Sequence, residues 1–276
     1  MITDKIKEYL ELNKKEYNQE VIDSSYLKFK QSVIKQFMKN YEARPGNIYT
    51  TLVTKPCARQ SSYTFHGFEG EPLSARVSLN FFNGDLIELT TLMLAELAGV
   101  PIESNNEYLY VNMDKESVVC KPDGIFFNGK EYFNVEIKKM SDYAYDRFES
   151  QGLTDEWGYE SQASMEVEAW RQNKKDVSKT IFIAIKGLTG NICERIVEYK
   201  PELVKQLFNR VQLVRGSTKE SLPDRYYKPE METYYKKPTG REKLGIFCSY
   251  CQYKKHCWPN FKLEFTKTGT PIYIKQ

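Results

Sequence analysis

Ser117–Lys138 reads SVVCKPDGIFFNGKEYFNVEIK, two β-rich runs on either side of Asn128-Gly129. Asn-Gly is the dipeptide preferred in a two-residue hairpin turn with both central residues at positive φ, so this stretch predicts a hairpin. Counting outward from the tip sets Phe127 opposite Lys130, Ile125 opposite Tyr132 and Asp123 opposite Asn134. Side chains alternate along a strand, which puts Asn134, Glu136 and Lys138 on one face with Asp123. Diagonal neighbours on such a face stand about 7–8 Å apart at Cα, close enough for two carboxylates to share one divalent ion. Phe133, Val135 and Ile137 take the opposite face, the one expected to pack into a core. Two acids and an amine therefore converge by geometry.

Outside this stretch, composition narrows the class. With 276 residues, 41% of them apolar, the chain is long enough for one well-cored domain, alone or with an appended module. No apolar run approaches the ~18 residues of a membrane-spanning helix. The N-terminal Met-Ile-Thr-Asp-Lys-Ile-Lys-Glu lacks the apolar stretch of a secretory signal, which predicts a cytoplasmic protein. Net charge is only +3, so a polyanion would have to find a local basic patch rather than a basic molecule. Six cysteines in a chain of this length without an export signal argue for thiols or metal ligands rather than disulfides. Cys120 and Cys193 lie in apolar, strand-like runs and read as buried thiols.

Along the chain, residues 1–44 carry a helical stripe of Ile34, Phe37, Met38 and Tyr41 that ends near Pro45-Gly46, and predict one or two helices. Residues 47–82 read as irregular. Leu86, Leu89, Leu92, Met93 and Leu97 give a helix from about Asn83 to Leu97, with Gly99 as its stop and Glu88 near its start. Strands are expected near 107–112, 117–126 and 131–138, then a helix at 156–174. Strands at Thr180–Ile185 and Ile192–Tyr199 and a helix at 201–215 follow. That order makes a mixed α/β core. Residues 220–276 differ in composition, rich in Tyr, Lys and Pro with three closely spaced cysteines.

Pro122-Asp123, a gap of 12 and Glu136-Ile137-Lys138 together resemble the PD-(D/E)xK nuclease signature, and helix–three strands–helix–strand resembles the core of that superfamily. Three more features extend the likeness. Glu88, in Gly84-Asp85-Leu86-Ile87-Glu88, stands where RecB-like nucleases carry a His and phage-type recombination exonucleases an acid. Tyr159-Glu160-Ser161-Gln162 resembles the Tyr-x-x-Gln motif of RecB-like enzymes, although the Tyr usual four residues further on is Glu166 here. Cys57 with Cys248-x-x-Cys251-x5-Cys257 resembles the iron–sulfur nucleases: CRISPR-associated RecB-like exonucleases, AddB-type subunits and the nuclease domain of eukaryotic replication helicase-nucleases.

The resemblance implies roles. Asp123 and Glu136 supply hard oxygen ligands suited to Mg²⁺ or Mn²⁺, with Glu88 and the carbonyl of Ile137 as further ligands. Lys138 would orient or help deprotonate the attacking water or offset charge on phosphate, and Gln162 would assist. The alternative is plainer: Asp123 ends a strand, and Glu136 and Lys138 are solvated edge charges. Thiolates suit zinc and iron–sulfur clusters alike. Spacing alone leaves Cys57, Cys120, Cys193 and His256 as candidate fourth ligands beside Cys248, Cys251 and Cys257. The resemblance selects Cys57, followed by Ala58-Arg59, and with it a [4Fe–4S] cluster closing a loop of 190 intervening residues. His66 and His256 read as surface or packing residues.

Arg171, Lys174, Lys175 and Lys179 crowd the end of the Gln162 helix. Lys236, Lys237, Arg241, Lys243, Lys254 and Lys255 interleave with Tyr234, Tyr235, Tyr250, Tyr253 and Trp258. Such patches suit single-stranded nucleic acid, and equally they serve as solvated faces or shields for a cluster. The expected organisation is a helical region at 1–50, a nuclease core at 51–215 and a Cys-rich segment at 216–276 packed back onto Cys57. The expected activity is exonucleolytic, on DNA ends or single strands, in recombination, repair or CRISPR spacer acquisition beside a helicase, recombinase or integrase. Endonuclease activity and a non-catalytic DNA-binding subunit are the alternatives.

Overall fold

The computed structural model of the chain describes residues 1–12, 18–34, 37, 47–103, 108–187, 189–266 and 271–276. Met38, Tyr41 and Pro45-Gly46 of the N-terminal stripe lie outside them. The chain is mixed α/β. Its centre is a four-stranded sheet in the order β3-β4-β5-β6, built from β3 (Gly124–Phe127), β4 (Tyr132–Met140), β5 (Val177–Lys186) and β6 (Ile192–Glu198). β4 runs antiparallel to β3 and parallel to β5, and β6 returns antiparallel to β5.

Inner strands of such a sheet are covered on both faces, and β4 and β5 are apolar accordingly. On one face Phe133, Val135, Ile137, Ile181, Ile183 and Ile185 pack against α1 (Ile2–Glu11) and α5 (Ala75–Leu97) through Ile2, Ile6, Leu92 and Ala95. That is the core face expected for Phe133, Val135 and Ile137. Fully burying each such side chain is worth about 1.5–3 kcal/mol. The other face is covered by α6 (Asp142–Gln151) and α7 (Tyr159–Gln172), which form the crossover from β4 to β5. β1 (Leu109–Met113) and β2 (Glu116–Cys120) make a separate hairpin that packs with α7 and α8 (Pro201–Arg215).

Several expectations change. The run at 117–126 is two strands, broken at Lys121-Pro122-Asp123; Pro122 has no N–H to donate to a ladder, so pairing stops there. The region at 47–82 is not irregular. It holds α3 (Thr50–Val53), α4 (Ala58–Phe65) and the start of α5, whose N-cap Ser74 accepts from the Val77 amide at 3.4 Å. The helix expected at 156–174 is a single 3₁₀ turn at Asp155–Trp157 followed by α7, hinged at Gly158 with φ +78. α6, absent from the sequence reading, is capped by Ser141. α8 matches its expected limits.

The Asn128-Gly129 turn also differs from expectation. β3 and β4 pair as Phe127–Tyr132, Phe126–Phe133, Ile125–Asn134 and Gly124–Val135, so four residues, Asn128–Glu131, form the loop. The Asn128 side chain accepts from the amides of Lys130 at 2.9 Å and Glu131 at 3.0 Å, and only Gly129 of the two tip residues takes positive φ, at +93. A side-chain-closed turn replaces the two-residue turn. The register therefore moves by two residues, an even number, and every side chain keeps the face it was assigned. Asp123 then stands next beyond the Gly124–Val135 pair, beside Glu136 rather than Asn134.

Residues 230–275 form a second four-stranded sheet in the order β7-β8-β10-β9: β7 (Glu230–Tyr234), β8 (Lys237–Lys243), β9 (Phe261–Phe265) and β10 (Pro271–Lys275). It reaches back to α4 and the segment after it. Tyr253 stacks on Tyr63 at 5.2 Å, Gln252 O accepts from the Glu71 amide at 2.8 Å, and Lys254 and Lys255 both pair with Glu71. Among the described residues, no helix is long and apolar enough to cross a membrane.

Candidate active site

Pro122 ends β2's run and turns the chain so that Asp123 enters beside β4. Its Oδ2 accepts from the Ile137 amide at 2.8 Å, which ties it to the middle of the strand. One residue on either side of Ile137, Glu136 and Lys138 point to the α7 face, where Lys138 Nζ pairs with Glu136 Oε1. α7 lies across this face and supplies Gln162, whose Nε2 donates at 2.8 Å to Glu136 Oε1. Glu88 comes from α5, its carboxylate within electrostatic reach of Asp123, Lys121, Lys138 and Glu136. The side chain of Ile137 lies in the opposite core, as its place between Glu136 and Lys138 requires. The structure thus brings Glu88, Asp123, Glu136, Lys138 and Gln162 together.

The electrostatics of this group are strained by burial. Glu136 is completely buried, and burial, with Asp123 and Glu166 beside it, raises its pKa well above the ordinary carboxylate value. Burial, reinforced by Asp123, pushes Glu88 up to about 8. Burial also raises Asp123, against the opposing pull of Lys138 and the Ile137 N–H. For Lys138, burial works to lower the pKa, but Glu136 and Asp123 outweigh it and hold the ammonium charged. A cation would relieve this crowding of acids. One atom marks where it fits. Glu136 Oε1 accepts from both Gln162 and Lys138, whereas Oε2 is buried with no hydrogen-bond partner among the described residues. A buried carboxylate oxygen left empty is costly unless something else coordinates it. No three His, Cys, Asp or Glu side chains among the described residues are already closed round a metal-sized point.

Two groups of the site were not singled out from sequence. Asp85, one turn before Glu88, acts on Asp123 and accepts from Ser32 Oγ at 3.1 Å. Glu166, visible only as a departure from the Tyr of the RecB-like motif, is buried and accepts from Gln162 Nε2 at 2.8 Å and Asn134 Nδ2 at 3.0 Å. The signal for it was its spacing: four residues after Gln162 is the same face of a helix.

The second assembly lies at the N-terminal end of α4. Cys57, the N-cap residue of that helix, lines one cavity with Cys248, Cys251 and Cys257, along with Arg59, Tyr63, Tyr227, Phe247 and Trp258. α9 (Ile246–Ser249) and α10 (Lys254–Cys257) carry two of the three C-terminal thiols, with Cys251 between them, its amide donating to Cys248 O at 3.1 Å. Burial, with neighbouring thiols adding to it, pushes Cys248 and Cys251 up to about 11. Such thiols give up their protons most readily to a metal that balances the charge. The remaining candidates are elsewhere. Cys120 is buried, 2.8 Å from Thr50 Oγ1; Cys193 is half-buried near Tyr145, not fully buried as expected. His256 Nε2 contacts Glu69 O at 2.8 Å and His66 Nε2 contacts Ser217 Oγ at 3.0 Å.

The basic residues divide. Lys179 pairs with Glu131, Arg241 with Glu232 and Glu264, and Lys254 and Lys255 with Glu71. Arg171 lies 5.0 Å over the Tyr199 ring and Lys175 4.7 Å over Tyr132. Tyr253 is buried against Tyr63, while Tyr235 and Tyr250 are largely exposed.

No protein-family model matches the chain, and no curated protein does. Among solved structures, one titled "Crystal structure of SSO0001" is 16% identical, with a TM-score of 0.49 over 85% of this chain and 96% of that one.

Proposed function

We propose that the chain is a divalent-metal-dependent deoxyribonuclease of the RecB-like PD-(D/E)xK type, acting as an exonuclease on DNA ends or single strands. The observation that carries this reading is Glu136 Oε2, buried and without a partner among the described residues, on a carboxylate that feels the charges of Asp123, Lys138 and Glu88 and is held at its other oxygen by Gln162. Asp123, Glu136 and Glu88 would hold Mg²⁺ or Mn²⁺, with the Ile137 carbonyl as a further ligand by resemblance. Such an ion polarises a phosphoryl oxygen and lowers the pKa of bound water. The chain's own residues do the rest. Asp123 is aimed by the Ile137 amide, Gln162 fixes the carboxylate of Glu136, and Lys138 presents a permanent positive charge where phosphate charge develops.

Cys57, Cys248, Cys251 and Cys257 would hold a structural [4Fe–4S] cluster; their convergence on one cavity supports a thiolate site. By resemblance the setting is recombination, repair or CRISPR spacer acquisition, with a helicase, recombinase or integrase as partner. Glu136→Ala and Lys138→Ala should each abolish Mg²⁺- or Mn²⁺-dependent digestion of end-labelled DNA while circular dichroism stays unchanged. Undiminished cleavage by both would remove the assignment. Covalently closed circular DNA should survive the wild type; nicking would mark an endonuclease. Protein purified anaerobically should be brown, and a colourless preparation free of iron would reject the cluster.

A further inference from the structure

α7 covers a chain of buried polar groups that continues past Gln162. The Trp170 indole donates to Asn134 Oδ1 at 3.0 Å. Asn134 Nδ2 donates to Glu166 Oε2 at 3.0 Å and to Thr180 Oγ1 at 3.2 Å. Glu166 Oε1 accepts from Gln162 Nε2 at 2.8 Å, and the same nitrogen gives its second hydrogen to Glu136 Oε1 at 2.8 Å. Trp170, Asn134, Glu166, Thr180 and Glu136 are all buried, so water does not substitute for the links among Trp170, Asn134, Thr180 and Glu166, and only Gln162 is partly exposed.

The direction of every bond is forced. An indole N–H only donates, so Asn134 must show it oxygen and turn its amide nitrogen to Glu166. Glu166, as a carboxylate, accepts at both oxygens and donates at neither, so Gln162 turns its amide nitrogen to it. That nitrogen then also faces Glu136 Oε1, which Lys138 fills from the other side, leaving Oε2 as the free oxygen.

We propose that Glu166 is a positioning residue: held by Trp170 through Asn134, it fixes the orientation of the Gln162 amide and thereby decides which oxygen of Glu136 faces the cation. This rests on the metal-dependent reading of the site. At 166 a carboxylate, unlike a Tyr, accepts two hydrogen bonds and donates none.

A carboxamide at 166 puts an N–H against one of two donors. Asn134 cannot turn to meet it while Trp170 holds its oxygen, so Gln162 must turn and bring an oxygen against Glu136. Removing the indole N–H frees Asn134 to reverse, and the Thr180 hydroxyl can rotate to donate. The experiment is a titration with Mn²⁺, read without DNA by loss of the free-ion electron paramagnetic resonance signal and with DNA by initial rate. Glu166→Gln should weaken Mn²⁺ binding by about 10-fold or more with KM for DNA unchanged. Adding Trp170→Phe should restore Mn²⁺ affinity to within about 3-fold of wild type, a rescue possible only if the two sites are coupled. A Glu166→Gln protein that binds Mn²⁺ like wild type overturns the proposal, as does a double variant no better than the single one. If the variants do not fold, wild-type side-chain amide exchange decides: slow exchange at Asn134 and Gln162 supports the chain of bonds, fast exchange at both overturns it. A wild type that neither binds Mn²⁺ nor cuts fails the nuclease reading instead.

Discussion

At the scale of single residues, the acids that would hold the proposed cation are crowded by burial. Glu136 is buried beside Asp123 and Glu166, with one oxygen unpartnered among the described residues. Replacing it by Gln removes a buried like charge and turns the empty acceptor into a donor facing the remaining acids. The same change takes from Lys138 its ion-pair partner, so we expect metal-free Glu136→Gln to be less stable than wild type by about 1–3 kcal/mol, a fall of several °C in Tm. Mn²⁺ should raise Tm for the wild type and not for the variant, since only a group that binds the folded state shifts it. A calorimetric scan in chelator and in Mn²⁺ checks both halves. Gly158 presents the opposite case, a residue the fold needs for its lack of a side chain. It sits at φ +78, and a Cβ there would meet Thr54 O at 2.6 Å. Gly158→Ala should cost about 2–4 kcal/mol, from strained backbone and a backbone clash together, seen as a lower urea midpoint. Because α7 starts there, cleavage should fall as well, with the loss in kcat.

At the scale of elements, the strand faces were legible and the turn was not. Alternation alone placed Asp123, Asn134, Glu136 and Lys138 on one face and Phe133, Val135 and Ile137 on the other, and both placements hold. Asn128-Gly129 signalled a turn correctly, but the side chain of Asn128 closes a longer one, a tertiary choice no dipeptide preference reveals. The even shift kept the faces intact, whereas a one-residue shift would have put Glu136 into the core of Phe133 and Val135. The break at Pro122 was available from the missing N–H. α6 was not, because Tyr145 and Phe148 are its only buried side chains, too sparse for a helical period. The loop carries its own test. Asn128→Ala removes two acceptor bonds at the hairpin tip and should lower stability by about 0.5–1.5 kcal/mol. Metal-dependent cleavage at saturating substrate should not change, because the strands, not the tip, hold the register at Asp123. A thermal melt paired with a rate measurement separates the two; a collapse in rate would mean that the loop sets the geometry of the acids.

At the scale of the whole molecule, the thiol-lined cavity packs through Phe247 against the turn that leads into α7, the helix that carries Gln162 to the acid site. Phe247, next to Cys248, lies 4.6 Å from Trp157 and is stacked at 4.9 Å on Tyr227; Trp157 immediately precedes Gly158, the N-cap of α7. Arg210 of α8 donates to Val53 O, so α3, just ahead of Cys57, is fastened to the same packing. The sequence made three of the four thiols legible by their spacing, and only the resemblance chose Cys57 over Cys120, Cys193 and His256. The fold brings Cys57 to the same cavity as the other three because α4 delivers it to the C-terminal segment, a juxtaposition across 190 residues that no local pattern encodes. A group bound by all four thiols constrains the unfolded chain as one long loop, which in a chain-entropy account is worth on the order of 4–5 kcal/mol. The loop is closed only when both ends hold. Cys57→Ser and Cys251→Ser should therefore each lower stability by a similar amount, and the double variant should lose hardly more than either alone. Urea unfolding of the wild type and the three variants, purified without oxygen, gives the cycle. Equal single losses with a non-additive double variant mark one shared bound group. Losses that sum would mean that the thiols stabilise the chain separately, and the staple between its two halves would have to be abandoned.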